Sequence, residues 1–135
     1  FTISDKTFEK MVKENNGMTG YHIHVSEGLN DVYDSALNYG TRSVNRLLNH
    51  GILGPKTMLG HCIHLNAAEM DIIKETGTMV CNNPESNMGN AVGCAPVLQM
   101  MKKGITVGAN ASFGKILWSQ SFGRRFGPKE YENRM

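Results

Sequence analysis

Apolar and polar positions along this chain switch repeatedly between two periods. In "TISDKTFEKMVKENNG", Phe8, Met11 and Val12 recur at helical spacing behind Ser4 or Asp5, either of which can cap a helix, and Gly17 and Gly20 stop it. "YHIHVS" is a short run rich in β-branched and aromatic residues and predicts a strand. "NDVYDSALNYG" and "TRSVNRLLNHG" return to helical spacing, each closed by a glycine, Gly40 and Gly51. "KTMLGHCIHL" predicts a second strand, "NAAEMDIIKETG" a helix capped by Asn66 with Gly77 past its end, and "TMVCNN" a third strand. A loop, "PESNMGNAVG", then leads to a helix in "APVLQMMKKG" and a fourth strand in "ITVGA".

Strand and helix therefore alternate about four times, the signature of parallel βα units. The strands are apolar on both sides, as expected when helices cover one face and a packed interior the other. In such folds function gathers where strands end and loops begin. The polar residues sit there: His24 and Glu27 after the first strand, His61 and His64 after the second, and Asn82, Asn83, Ser86 and Asn87 after the third. Three successive strands with polar groups at the same end favour a site over a solvent-facing edge.

After Gly108 the pattern stops. "ANASFGKILWSQSFGRRFGPKEYENRM" holds glycines, a proline, the only tryptophan and a basic excess, and does not continue the βα rhythm; Trp118, Ile116 and Leu117 could dock on a core or leave the tail mobile. The whole chain has 135 residues, one modest domain, with 40% hydrophobic and 19% charged residues, which excludes a disordered protein. A formal charge of +2 is too small to indicate nucleic-acid binding, and no apolar run nears the roughly 18 residues of a membrane span. Cys62, Cys81 and Cys94 cannot all pair and match no zinc spacing, so reduced thiols in a cytoplasmic protein are expected. The first residue is Phe1 rather than Met, consistent with a processed start or a piece of something longer.

A neutral imidazole at a strand end is a good ligand for a catalytic metal. A carboxylate three residues on can carry a proton without binding the ion, and a histidine of the next strand can polarise the substrate. Each group also has a structural reading. His22 and His24 share one face of the strand, and either can be a hydrogen-bonded interior histidine. Glu27 can simply favour a helix N-terminus, and His64 can serve as a cap. The cysteines and Met11, Met58, Met70, Met79, Met100 and Met101 read as packing, and Arg124 and Arg125 as solvated.

Three motifs in order, "HVSE", "GHCIHL" and "NNPESNMGNAVG", resemble the amidohydrolase superfamily, and within it the cytosine/guanine-deaminase-like aminohydrolases and chlorohydrolases. The resemblance runs from about Phe1 to Gly108. It implies an α/β fold, a partial (β/α)8 TIM barrel of about four parallel βα units over residues 1–108, equivalent to strands five to eight of the family's barrel. An irregular, divergent basic tail, 109–135, would follow. It implies one divalent metal, zinc in preference to iron, with His24 as ligand. Glu27 would shuttle protons, His61 would orient substrate and hydroxide, and Asn87 would contact substrate.

The implied reaction is hydrolytic deamination of a purine- or pyrimidine-like ring by metal-bound hydroxide. A small heterocyclic substrate is the implied partner, with a homo-oligomer or the missing half of the barrel beside it, and neither nucleic acid nor membrane. The family pattern is departed from in two places. Its first-strand His-x-His pair has no counterpart here, and its last-strand Gly-Thr-Asp turn reads "VGANASFG", with Ala111 and Ser112 about where Thr and Asp would stand. One histidine cannot hold a catalytic zinc, which takes about three protein ligands, and a full barrel needs about 250 residues. The chain alone is therefore expected to be inactive. The alternative is a non-catalytic half-barrel with open edges that self-associates or serves as an interaction module, with the basic tail as an interaction segment.

Overall fold

The computed structural model describes residues 2–111 and 115–118. In chain order these form α1 (Asp5–Asn15), β1 (His22–Val25), α2 (Leu29–Tyr39), α3 (Ser43–Asn49), β2 (Met58–His61), α4 (Ala67–Glu75), β3 (Met79–Asn82), α5 (Pro84–Gly89), α6 (Val97–Lys102), β4 (Val107–Ala111) and β5 (Lys115–Trp118). Helix α1 begins where its cap stands: the Ser4 hydroxyl accepts the Thr7 N–H, and Asn16 ends the helix in a left-handed conformation. Helix α4 carries a full capping box, with Asn66 accepting from the Glu69 N–H and Glu69 accepting from the Asn66 N–H.

Strands β1 to β4 lie side by side in sequence order, all parallel, with β1 at a free edge. The helices cover one face. Each strand sends one apolar side chain into that layer, Val25, Leu59, Val80 and Val107, where they meet Val44 and Leu47 of α3, Ile73 of α4 and Met100 of α6. All eight are buried, and burying such a side chain contributes about 1.5–3 kcal/mol. Helix α1 closes the layer near β1. Phe8 packs under Arg46, whose guanidinium stacks on Tyr39 at 3.4 Å and bonds to Asp5 at 2.7 Å.

This is the expected run of parallel βα units, with three differences in detail. "PESNMG" is not loop but the helix α5, with Pro84 in its first turn. Ser, Asn and Gly are weak helix formers, so the signal was poor; the bonds of buried Asn87 hold the turn in place. Second, β4 runs past Gly108 to Ala111, and Lys115–Trp118, within the stretch expected to be irregular, pairs antiparallel with it. "KILW" has the β-branched and aromatic content of a strand. Third, Cys94 and Met101 are exposed rather than packed. Met101 follows buried Met100, and adjacent helical positions cannot both face the core. Residues 112–114 and 119–135, Arg124 and Arg125 among them, lie outside the described residues, as does the side chain of Trp118. Among the described residues no helix is long and apolar enough to cross a membrane.

Candidate active site

The C-terminal ends of β1 and β2 are stitched together by unusual backbone. Ser26, His61 and Cys62 all take positive φ, of 51°, 67° and 52°. Such left-handed turns cost non-glycine residues of the order of 1–3 kcal/mol and persist only where the surroundings hold them. The holding groups are evident. The Val25 carbonyl accepts from Cys62 N–H, and the Ser26 carbonyl accepts from both Ile63 and His64 N–H, at 3.1 and 3.0 Å.

His24 pairs in register with Gly60. A Cβ at Gly60 would stand in van der Waals contact with the His24 ring at 3.4 Å, and that ring lies over β2. There it stands edge-on to His61, with ring centroids 4.7 Å apart. His24 is exposed and His61 is buried. Glu27, just past β1, has its backbone N–H on the Asp31 carboxylate at 2.9 Å. Its own carboxylate turns inward, with Oε2 3.6 Å from His61 Nε2. Nitrogen and oxygen atoms of His24, Glu27 and His61 lie within 4.8 Å of one another, the one such group of three among the described residues.

Asn87 of α5, 2% exposed, sits behind His61, with Oδ1 2.7 Å from His61 Nδ1. Its amide nitrogen donates to Asn82 Oδ1 at 3.4 Å, which turns the amide oxygen toward the ring. An amide oxygen only accepts, so Nδ1 carries the proton and a neutral His61 presents a bare lone pair at Nε2. That nitrogen is buried and makes no hydrogen bond in the structure. Nε2 and Glu27 Oε2 thus face each other as two acceptors, an arrangement that calls for a proton or a cation between them. An imidazole pair with one carboxylate is also a common donor set for zinc. The residues present fit a divalent ion.

The other polar strand-end residues are placed differently. His22 is exposed at the start of β1, 6.5 Å from His24 and outside the cluster of three. The cap of α4 is Asn66, and His64 instead donates from Nε2 to the Val92 carbonyl at 3.1 Å, tying the loop after α5 to the end of β2. Asn83 accepts from the Cys81 thiol. A cavity of about 330 Å³ runs along the free edge of β1, with His22, His24, Ser26 and Asp31 in its wall.

Two features of the site region depend on partners distant in sequence. Glu69 is fully buried and binds Arg42 at 2.8 Å and the Val44 N–H at 3.2 Å, while Arg42 also donates to the His64 carbonyl. The capping pattern Asn66-x-x-Glu69 marked the residue, but not its long-range partners. Asn90, at the end of α5, donates from its side-chain amide to Glu27 Oε1 at 3.1 Å. Its spacing of three from Asn87 was the available signal. The thiols stand apart from this chemistry. Burial, then the charges of Glu69 and Cys81, push Cys62 far above the ordinary thiol range, and burial raises Cys81 as well. Neither is a thiolate ligand at neutral pH.

The sequence profile of the amidohydrolase family matches residues 1–110. A 5-methylthioadenosine/S-adenosylhomocysteine deaminase of Caldanaerobacter subterraneus subsp. tengcongensis is 43% identical over 89 residues, 66% of this chain and 21% of that protein. A 5'-deoxyadenosine deaminase of Methanothermobacter thermautotrophicus is 40% identical over 86 residues, 64% of this chain and 20% of that protein. Among solved structures, an adenosine deaminase from Xanthomonas campestris with bound zinc superimposes with a TM-score of 0.76 at 27% identity, covering 81% of this chain and 25% of that one. The chain spans about a fifth of the length of the curated relatives it matches.

Proposed function

Because this chain belongs to the amidohydrolase family, we propose that it carries one side of the active site of a metal-dependent hydrolytic deaminase acting on an adenosine-type amino-purine. The observation that carries this reading is the convergence of His24, Glu27 and His61 within 4.8 Å at the C-terminal ends of two adjacent parallel strands. The names of the relatives support the substrate class.

His24 would hold the ion, zinc in the first instance, as one of the about three protein ligands such a metal takes. When bound, the ion supplies Lewis acidity that makes a water molecule a nucleophile at neutral pH. The chain's own residues would supply part of the rest. Glu27, aimed inward and partly shielded, would take one proton of the water and pass it to the ring nitrogen; the water's second proton would go to the amine nitrogen as the C–N bond breaks, so that ammonia leaves and the ring carbonyl remains. His61 Nε2, held as a lone pair by the Asn87 contact, accepts a hydrogen bond from the incoming water and fixes its direction. Asn87 acts through His61.

The test is the zinc content of the dialysed chain by plasma mass spectrometry, beside His24→Ala, with ammonia release from 5'-deoxyadenosine measured on the same samples. Near-stoichiometric zinc that the variant loses supports the reading. Zinc absent from the parent chain, or retained equally by His24→Ala, overturns it, whereas ammonia release is not required of a chain that carries one side of the site.

A second reading, self-association without catalysis, draws on the free edge of β1 and on Leu29, Tyr33 and Leu37, which form an exposed stripe at four-residue spacing along α2. Sedimentation of the chain separates the two, since a monomer that binds zinc leaves this second reading without support.

A further inference from the structure

Helix α5 touches the candidate site twice. Asn87 and Asn90 stand three positions apart, so their side chains leave the same side of the helix end. Asn87 reaches His61, and Asn90 reaches Glu27. The second contact has a definite chemistry. A carboxylate only accepts hydrogen bonds, so the Asn90 amide must present its nitrogen, and the bond is charge-assisted whenever Glu27 is ionised.

Without that bond Glu27 is poorly restrained. Its side chain is 24% exposed, His61 Nε2 lies at 3.6 Å, beyond a hydrogen bond, and a His24 ring nitrogen stands within 4.8 Å. A glutamate arm has several rotatable bonds and holds one pose only where something fixes it. Asn90 engages Oε1 and leaves Oε2 on the side of His61. Asn90 is itself anchored. Its backbone N–H donates to the Ser86 carbonyl, the Val92 N–H returns to the Asn87 carbonyl, and His64 clamps the Val92 carbonyl from the end of β2.

We propose that Asn90 is a positioning residue for Glu27: its amide holds one carboxylate oxygen so that the other faces His61 and the reacting water. The proposal rests on the role given to Glu27 above, although the contact itself does not. It adds a function for the C-terminal cap of α5, which would orient the base while the body of the helix orients the histidine.

The experiment compares the chain with Asn90→Ala and Asn90→Asp. Asn90 is exposed and its backbone is right-handed, so both variants keep the fold. Asn90→Asp has nearly the same shape but cannot donate. The readout is the Glu27 side-chain rotamer, from three-bond carbon–carbon and carbon–nitrogen couplings in labelled protein, together with the Glu27 carboxyl carbon shift at neutral pH. Both variants are expected to lose the single-rotamer couplings and move toward averaged values, with the amide and His61 signals otherwise in place. Couplings that stay at single-rotamer values in both variants overturn the proposal. If zinc is absent while the couplings collapse as expected, the metal-site reading fails and the positioning contact stands. If turnover is found, Asn90→Ala is expected to lower kcat about tenfold with KM little changed, and an unchanged kcat overturns the catalytic use of the contact.

Discussion

His61 Nδ1 lies 2.7 Å from Asn87 Oδ1, and both side chains are buried. That contact decides which nitrogen of the ring is free. Replacing Asn87 with Ala removes a buried acceptor and is expected to cost about 1–3 kcal/mol in urea unfolding. It should also release the tautomer. Long-range proton–nitrogen spectra of neutral His61 should show one Nδ1–H form in the parent and a mixture in Asn87→Ala. A single unchanged tautomer in the variant would mean that something other than Asn87 sets it.

Glu69 offers a test of architecture. Its carboxylate joins the N-terminus of α4, the first turn of α3 and Arg42, with no exposure to water. Glu69→Ala strands Arg42 and two backbone N–H groups, and is expected to destabilise by about 2–4 kcal/mol, discounted because Arg42 is partly exposed. Glu69→Gln keeps one accepting oxygen and should recover part of this loss. Denaturant midpoints of the three proteins check the order, and a neutral Glu69→Ala would refute the bridging role.

The buried thiols predict how stability varies with alkaline pH. A free thiol ionises near pH ~8.5. Burial raises Cys62 above that in the folded chain, so the unfolded chain sheds a proton that the folded chain keeps. Stability from this source is complete below the unfolded value and is lost as pH rises from there toward the folded one, at up to ~1.4 kcal/mol per pH unit for each thiol. Unfolding midpoints from pH 7 to 10 should fall, and less steeply in Cys62→Ala. In labelling at pH 8, exposed Cys94 should react long before Cys62 and Cys81.

Gly60→Ala tests whether the missing side chain on β2 matters to the site. The new methyl would stand in van der Waals contact with the His24 ring at 3.4 Å and the Asn83 amide at 3.6 Å. The sheet should tolerate it within about 1 kcal/mol, and because neither contact forces the ring to move, zinc affinity should change by less than about tenfold, ~1.4 kcal/mol. Titration calorimetry beside thermal unfolding separates the two effects. A larger loss of zinc affinity would mean that the methyl does displace the ring.

Much of this architecture was legible in the chain. Ser4 and Asn66 announced their helices because a cap is a local event, completed within three residues. The strand ends at His24 and His61 were legible because β-rich runs stop where polar residues begin. What could not be read depended on partners far away in sequence. Asn90 and Glu27 are 63 residues apart, and Arg42 and Glu69 are 27. Helix α5 was hidden for a related reason, since its residues are weak helix formers and its support comes from Asn82 and His61. Gly60 looked like an ordinary strand glycine until the register set it against His24.

Mounting two groups on one short helix has a mechanical result. If α5 shifts as a body, Asn87 and Asn90 shift together, and His61 and Glu27 are carried in the same direction. Thermal motion of that kind is common to both groups and cancels in their separation. The distance between the Glu27 carboxylate and the His61 imidazole would then vary less than the position of either one. A pair held from two unrelated loops would accumulate both loops' fluctuations instead.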